Sequence, residues 1–393
     1  MSEAPLSYLQ SPHKKYWFDA CKLIYHQDRL QDYLDGDRIM PIHIDIGIAK
    51  SCNCRCLYCY GIQQVPSPEY IPIDRLLLLV DDAKEVGIKS MAIIGDGEPT
   101  MNKGLYPMVT YAKQVGLDMS VATNGLLLDK DKIDILTSSL IWLRFNISGI
   151  DKYDYIHTTI NGLHKIDKVI RYAVANKKSC TIGLQMVCIP QCFSEIVPLA
   201  KAAISWGVDY LVIKQYSDPG CSSMTPFDMR AYEQAKNDLR QAEAMSNDKT
   251  KIIVKWSAME DTRTITMDKQ WSFDRCIDLP LIFQISGNGK CYPCGYLFGD
   301  SRYCYGDITK DRLRDILRSR RYWEIIDKIS KTKLTDLCKG QCRHCETNKF
   351  IDRLTKLYYE RHLTLQQSLI HMCGGEDKYT DVMSHPPQHI NFI

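Results

Sequence analysis

The sequence predicts an α/β protein made of a partial (βα)6 barrel followed by a small α+β domain. Six strand-like segments alternate with amphipathic, helix-like segments as far as about residue 220. Such alternation predicts a parallel sheet, because each crossover between parallel strands needs a helix. Six units are too few for a closed eightfold barrel, so a partial barrel is favoured. An open doubly wound sheet is the alternative that the same pattern allows.

The elements of the first part follow in order. Residues 1–41 predict a helical lead-in, since an apolar residue recurs at every third or fourth position. The barrel is expected to span 42–220. Its strands are expected at 42–49, 90–95, 117–123, 141–148, 181–189 and 210–217, and its helices near 72–87, 104–115, 129–139, 162–177 and 193–206.

The second part, residues 221–372, has a different pattern. A helix over 225–248 is followed by a strand at 251–256, a hairpin with a Gly-Asn-Gly turn over 281–293, and helices near 310–330 and 349–371. Residues 373–393 lack periodicity, and we expect them to form a surface tail.

Composition excludes several classes of protein. The chain has 45% hydrophobic and 25% charged residues, which is the globular balance and not that of a collagen, a coiled coil or a disordered chain. The formal net charge is +3, too small to indicate binding to nucleic acid or to a membrane surface. No run of about 18 apolar residues and no apolar signal core occur. A cytoplasmic protein without nucleic-acid or membrane partners is therefore expected.

The 17 cysteines are the most informative feature of the 393 residues. Without a secretion signal a reducing compartment is expected, where clustered thiols bind metal or do redox chemistry more often than they form disulfides. One cluster follows the first predicted strand, and a second lies between residues 276 and 345.

The first cluster has the spacing Cys52-x3-Cys56-x2-Cys59, with Tyr60 directly after it. Three thiolates on a short loop can bind three irons of a [4Fe–4S] cluster, which leaves the fourth iron open. A structural zinc site is the alternative, but zinc sites typically use paired C-x2-C units. Cys54 lies outside this spacing, and we expect it to point away from the loop.

This motif resembles that of the radical S-adenosylmethionine (SAM) superfamily, and features over residues 42–220 fit the same family. The segment Gly95-Asp96-Gly97-Glu98-Pro99 is similar to the family's glycine-glycine-glutamate-proline motif, which holds the methionine amino group, although Asp96 interrupts it. The resemblance implies SAM as a cofactor. The residues expected to contact it are Tyr60, Gly95, Gly97, Glu98, Pro99, Thr123, Asn124, Asn146, Ser148 and Gln185.

The second cluster resembles the twitch/SPASM extension of radical SAM enzymes, in particular the arrangement found in aminocyclitol dehydrogenases. This resemblance implies a second [4Fe–4S] cluster whose ligands are Cys276, Cys294, Cys342 and Cys345, with Cys291 and Cys338 as alternates. A zinc ribbon built from the C-x2-C pairs at 291–294 and 342–345 is the other interpretation. His344 is expected to face solvent rather than to act as a ligand.

The resemblance implies an enzyme that receives an electron from flavodoxin or ferredoxin and uses a 5′-deoxyadenosyl radical to abstract hydrogen from its substrate. A fully ligated second cluster favours net oxidation, such as that of an alcohol. If a thiol returns a hydrogen atom instead, epimerisation or dehydration results, and Cys188 and Cys221 are the candidate donors.

The substrate is the least determined part of this prediction. Only about 41 residues precede the first predicted strand, where many peptide-modifying relatives carry a peptide-recognition domain. This favours a small polar substrate such as a sugar, an aminocyclitol or a nucleotide-linked sugar, with peptide modification as the alternative. A zinc- or cluster-stabilised binding module without catalysis is the hypothesis from another class, and the low net charge disfavours it.

Overall fold

A computed structural model describes residues 16, 20–59, 66–216, 231–256, 259, 273–338 and 344–393. The strands are β1 (His43–Ile46), β2 (Ser90–Ile93), β3 (Asp118–Thr123), β4 (Trp142–Asn146), β5 (Thr181–Cys188), β6 (Tyr210–Gln215), β7 (Lys251–Val254), β8 (Ile282–Ile285), β9 (Lys290–Tyr292) and β10 (Gly306–Asp307). They form one sheet in the order β10-β9-β8-β1-β2-β3-β4-β5-β6-β7.

The run of strands from β8 to β7 in this order is parallel throughout. It contains all six predicted strands, with β7 added at one side and β8 at the other. The first and last strands of the sheet do not pair with each other, so the barrel is partial, as predicted.

The helices are α1 (Gln27–Leu34), α2 (Ile73–Glu85), α3 (Leu105–Val115), α4 (Lys130–Ser139), α5 (Tyr153–His157), α6 (Gly162–Asn176), α7 (Ile196–Trp206), α8 (Tyr232–Ala244), α9 (Leu313–Arg318), α10 (Arg320–Lys331), α11 (Leu334–Leu337), α12 (Cys345–Thr355), α13 (Leu365–Cys373) and α14 (Glu376–Ser384). Helices of the barrel cover the outer face of the sheet. In α6, for example, Ile166 and Ile170 are one turn apart and pack in the same core as Phe145 of β4. None of the described helices is long and apolar enough to cross a membrane.

The predicted hairpin is continuous with the barrel. β8 pairs antiparallel with β9, and it also pairs in parallel with β1, where Gln284 lies opposite Asp45. Gly289 in the hairpin turn has φ +86°, and a Cβ atom there would lie 2.5 Å from Cγ2 of Thr309. The small second domain therefore shares its sheet with the barrel.

The prediction of a surface tail over 373–393 is wrong. After α14 the chain enters the amino-terminal end of the barrel, where Phe392 is buried with its ring 5.6 Å from that of Trp142. The Asn391 side-chain amide donates to Asp118 at 2.7 Å. This segment is held by single aromatic and polar contacts. Because such contacts do not recur at a regular spacing, the sequence shows no hydrophobic periodicity there.

The lead-in is helical in its described part, with a 3-10 helix at Ala20–Tyr25 followed by α1. Its buried leucines Leu30 and Leu34 share a second core with Phe350 and Leu369 of the carboxyl-terminal helices. The two ends of the chain therefore pack on each other.

Candidate functional site

The first cysteine loop follows β1 at the carboxyl-terminal edge of the parallel sheet. Cys52, Cys56 and Cys59 are partly exposed there, whereas Cys54 is buried. The Cys54 thiol contacts both Cys52 and Cys56, so it does not point away from the loop as expected. The hydrogen bond with Cys54, together with burial of Cys52 itself, raises the pKa of the Cys52 thiol. The thiols lie within hydrogen-bonding reach of one another, and bound iron would displace their protons.

His157, at the end of α5, is a neighbour of this loop that the sequence did not reveal. The Ser148 backbone N–H donates to its Nε2 at 3.0 Å. Because an N–H can only donate, the imidazole proton lies on Nδ1, which is 3.3 Å from Sγ of Cys56 and 3.4 Å from the hydroxyl oxygen of Tyr58. Burial lowers the pKa of His157 to about 3, so the ring is neutral. A neutral imidazole thus directs an N–H at a predicted ligand sulfur.

Glu98 is buried, and its carboxylate accepts four hydrogen bonds. Oε1 accepts from the backbone N–H and hydroxyl of Thr100, at 3.1 and 2.6 Å, and from the hydroxyl of Thr123 at 2.5 Å. Oε2 accepts from the backbone N–H of Asn124 at 2.8 Å. Burial raises the pKa of Glu98, and these bonds oppose the rise. Glu98 therefore joins the ends of β2 and β3, and its contact with the methionine amino group stays a prediction.

The two glycines of this motif allow close packing of backbone. A Cβ atom on Gly95 would lie 2.1 Å from Cα of Gly47. One on Gly97 would lie 2.2 Å from the carbonyl oxygen of Ala49. Pro99 then begins a short 3-10 helix. The motif therefore holds the end of β2 against the start of the cysteine loop.

Asp96, which interrupts the family pattern, has a structural role of its own. Its Oδ1 accepts from the backbone N–H of Gly287 at 2.7 Å, and its Oδ2 accepts from the Ser286 hydroxyl at 2.8 Å. Lys50 of the cysteine loop lies 3.6 Å from the same carboxylate. Asp96 thereby ties the barrel motif to the turn between β8 and β9.

The other predicted SAM contacts lie at the carboxyl ends of neighbouring strands. Asn146 and Gln185 are in register on β4 and β5, and the Gln185 amide donates to the Asn146 side chain at 3.0 Å. The Ser148 hydroxyl accepts from the backbone of Val187, and Asn124 donates to Asn53 of the cysteine loop at 2.8 Å. The fold thus brings these predicted residues to one edge. Tyr60 lies outside the described residues.

The structure does not support Cys188 as a hydrogen donor. Successive side chains of a strand point to opposite faces, and Gln185 points into the barrel. Cys188 accordingly lies on the helix-facing side, fully buried and in contact with Cys192. It cannot reach a substrate inside the barrel. The other candidate donor, Cys221, lies outside the described residues.

Several thiols of the carboxyl-terminal cysteine cluster line an apolar pocket, separate from the first cysteine loop. Cys276, Cys294 and Cys338 line it, together with His344 and apolar side chains such as Leu279, Pro293, Leu297, Ile329 and Leu337. Thiols around an apolar pocket are the kind of donor that an iron–sulfur cluster uses. The structure thus places the alternate Cys338 with two of the predicted ligands.

The other predicted ligands of this cluster have different positions. Cys345 begins α12, directly after His344. Cys342 lies outside the described residues. Cys291, the other alternate, is fully buried near Cys304, and burial raises the pKa of its thiol well above the usual value. It is not among the residues that line the apolar pocket, and its role as a ligand stays a prediction.

His344 does not face solvent, contrary to the prediction, and is only 5% exposed. Its Nδ1 is 2.9 Å from Oδ2 of Asp278, and its Nε2 is 3.1 Å from the side-chain nitrogen of Gln284. The other oxygen of Asp278 accepts from the Cys276 thiol at 3.4 Å. A hydrogen-bonded chain therefore links β8 of the barrel sheet to a thiol of the second pocket.

Comparison with protein families agrees with this arrangement. Residues 46–203 match the radical SAM superfamily, and residues 276–346 match the SPASM iron–sulfur cluster-binding domain.

Among curated relatives, a cofactor-modifying protein of the tungsten-containing aldehyde ferredoxin oxidoreductase of Pyrococcus furiosus is 23% identical over 71% of this chain and 82% of its own length. The AdoMet-dependent heme synthase of Methanosarcina barkeri is 23% identical over 77% of this chain and 87% of its own. A probable GTP 3′,8-cyclase of Archaeoglobus fulgidus is 28% identical over 37% of this chain and 47% of its own.

Solved structures show the same fold. Streptococcus suis SuiB bound to S-adenosylmethionine has a TM-score of 0.60 at 16% identity, over 83% of this chain and 79% of SuiB. The enzyme anSMEcpe with bound AdoMet has a TM-score of 0.56 at 17% identity, over 88% of this chain and 99% of its own. A radical SAM domain implies a [4Fe–4S] cluster and SAM, and a SPASM domain implies further iron–sulfur clusters. The chain therefore combines a radical SAM domain with a SPASM domain.

Proposed function

We propose that this chain is a radical SAM oxidoreductase that removes two hydrogens from a small polar molecule, for example from an alcohol group. SAM and the first cluster together supply a 5′-deoxyadenosyl radical when both are bound. In each turnover one SAM gives methionine and 5′-deoxyadenosine, which keeps one substrate hydrogen. The second substrate hydrogen leaves as a proton, and its electron is accepted by the protein. An external flavodoxin or ferredoxin supplies the starting electron.

The observation that carries this proposal is the thiol-lined pocket joined to the barrel sheet. Cys276, Cys294 and Cys338 line the pocket, and Cys345 follows the lining residue His344. Four thiolates saturate a [4Fe–4S] cluster, which leaves no iron free to bind substrate. Such a cluster is suited to accept an electron. The link from Cys276 through Asp278 and His344 to β8 supports a position next to the barrel.

The barrel residues have the complementary tasks of positioning SAM and the substrate and of excluding water. Asn146 and Gln185 present amide groups on the inner face, at the layer nearest the cysteine loop. Phe392 and Trp142 close the opposite, amino-terminal end with aromatic rings. A reactive carbon radical survives longer where water and other hydrogen donors are kept out.

The relatives support a small molecule as substrate. Two relatives that match this chain over more than four fifths of their own length are named for cofactor modification and for heme synthesis. A sugar, an aminocyclitol or a nucleotide-linked sugar is the class we propose, and a peptide is the alternative outcome of the test.

The test is a screen of deuterated metabolites with the anaerobically reconstituted protein, SAM and reductant. The proposal expects deuterium in 5′-deoxyadenosine and a product two hydrogens lighter than its substrate. Mass spectrometry measures both. A product of unchanged mass that incorporates solvent deuterium at carbon would contradict oxidation and indicate epimerisation. Turnover of peptides but not of small molecules would contradict the substrate class.

A further inference from the structure

Arg144 is a cation on the inner face of the barrel. Along β4 the side chains of Leu143 and Phe145 belong to the core under the helices. Trp142, Arg144 and Asn146 therefore point the other way, into the barrel. The Trp142 ring meets Phe392 there, and Asn146 bonds to Gln185.

The described part of the chain gives the guanidinium of Arg144 no counter-charge. Its carbon Cζ lies 4.7 Å above the centre of the Trp142 ring, and it hydrogen-bonds with the Tyr210 hydroxyl. Its Nε is buried, and no group among the described residues accepts a hydrogen bond from it. Among the described residues no carboxylate forms an ion pair with it, and the inward-facing Asp45 contacts His43 at 3.1 Å instead.

This arrangement is costly unless an anion completes it. Buried charged groups are normally paired or hydrogen-bonded, because removing a charge from water without compensation is unfavourable. A partly buried guanidinium whose buried N–H has no acceptor among the described residues is therefore suited to bind an anion. A carboxylate or phosphate matches its planar fork of donors.

The position of Arg144 relates it to the proposed reaction. It precedes Asn146 by two residues on the same face, which is about 7 Å along a strand. Gly183 is its register partner on β5, and a Cβ atom there would lie 2.1 Å from Cζ of Tyr210. Because Gly183 has no side chain, the Tyr210 ring has room to lie next to Arg144.

We infer that Arg144 binds an anionic group of the substrate, a carboxylate or a phosphate, one layer below the predicted SAM contacts. This inference rests on the proposed function, and it narrows the substrate class to molecules that carry such a group. The ring of Trp142 forms the apolar floor under the guanidinium, and the Tyr210 hydroxyl limits its rotation. Both contacts fix the direction of the donors.

The test measures anion binding by calorimetry on the cluster-reconstituted protein at low ionic strength. Inorganic phosphate and acetate are the two probes, and the tighter one identifies the anion. We expect Arg144→Gln to weaken binding at least tenfold. Arg144→Lys keeps the positive charge but loses the planar pair of N–H donors, so it should weaken anion binding severalfold. The matched control is Arg171→Gln, an exposed arginine paired with Asp167, which should bind as the unchanged protein does.

Three results would overturn the inference. They are equal anion affinity in the Arg144→Gln variant, unchanged affinity in the Arg144→Lys variant, and no binding of either probe at millimolar concentration. If the Arg144→Gln variant loses its iron or does not fold, the anion affinity of the Arg144→Lys variant decides whether the inference holds. Formation of 5′-deoxyadenosine is measured in the same samples. Its absence would contradict the proposed function, whereas loss of anion binding alone concerns only Arg144.

Discussion

The cysteine loop after β1 and the thiol-lined pocket near β8 each place a buried histidine close to a predicted ligand sulfur, but they orient it differently. His157 directs its N–H toward Cys56. His344 contacts Asp278, and the carboxylate of Asp278 lies next to Cys276. Hydrogen bonds to cluster sulfur and nearby charge are the means by which a protein sets a reduction potential. A donor favours the reduced, more negative cluster, whereas a carboxylate opposes it, so the two regions favour reduction to different degrees.

The largest expected effect separates the two regions as iron sites. Two cubane clusters correspond to about 8 Fe per chain. Changing Cys52, Cys56 and Cys59 together to Ala should leave about 4 and abolish SAM cleavage, since the second pocket is built from other residues. Iron analysis and chromatography of 5′-deoxyadenosine measure this. Cys373→Ala is the control, and surviving cleavage in the triple variant would refute the assignment.

Within the second region, Cys294→Ala should stop product formation while SAM cleavage continues. The reason is that this thiol lines the pocket and the first loop is untouched. The matched control is Cys291→Ala, three residues earlier on the same hairpin, which should keep its product and its iron. Product and 5′-deoxyadenosine are quantified in one assay. Identical behaviour of the two variants would contradict the prediction that Cys294, and not Cys291, is a ligand of the second cluster.

Glu98 tests whether the first region holds the amino group of SAM. Glu98→Gln should weaken SAM binding by about one to two orders of magnitude, because a charge-assisted contact contributes roughly 1.5–3 kcal/mol. Equilibrium binding and thermal unfolding are measured together. A lower melting temperature with unchanged SAM affinity would mean that Glu98 serves only to join β2 and β3, through the four hydrogen bonds it accepts.

The histidine of the first region should raise the reduction potential of its cluster. His157→Phe removes the N–H near Cys56, so the potential should become more negative while iron content is kept. A redox titration followed by electron paramagnetic resonance measures this. His157→Gln retains N–H donors and should restore part of the shift. An unchanged potential in the phenylalanine variant would show that the hydrogen bond has no electronic effect.

The second region should respond in the opposite direction. Asp278→Asn removes a negative charge next to Cys276, so the potential of the second cluster should become less negative, by a smaller amount if His344 already balances the carboxylate. The same titration applies. A shift in the same direction as that of His157→Phe would contradict the comparison.

Some of these features were predictable because their signals are local. The six strands follow from periodicity, and the first cysteine loop follows from the spacing of Cys52, Cys56 and Cys59. The hairpin followed from its Gly-Asn-Gly turn, although its pairing with β1 did not, because that contact joins residues far apart in the chain.

The features that were missed depend on register or on distant partners. Side chains alternate between the two faces of β5, and the sequence alone does not show on which face Cys188 lies. His344 sits between two cysteines and resembles a polar loop residue until Asp278 is brought next to it. The carboxyl-terminal segment is held by Phe392 and Asn391, and neither forms part of a pattern.

The pairing of β8 with β1 makes the two halves of the protein inseparable as folding units. In a fragment containing only the barrel, the backbone N–H and C=O groups of His43–Ile46 that now bond to β8 would be unpaired. This strand is largely buried, so its open edge would be a template for pairing with a second copy. The hairpin therefore also protects the barrel from edge-to-edge aggregation.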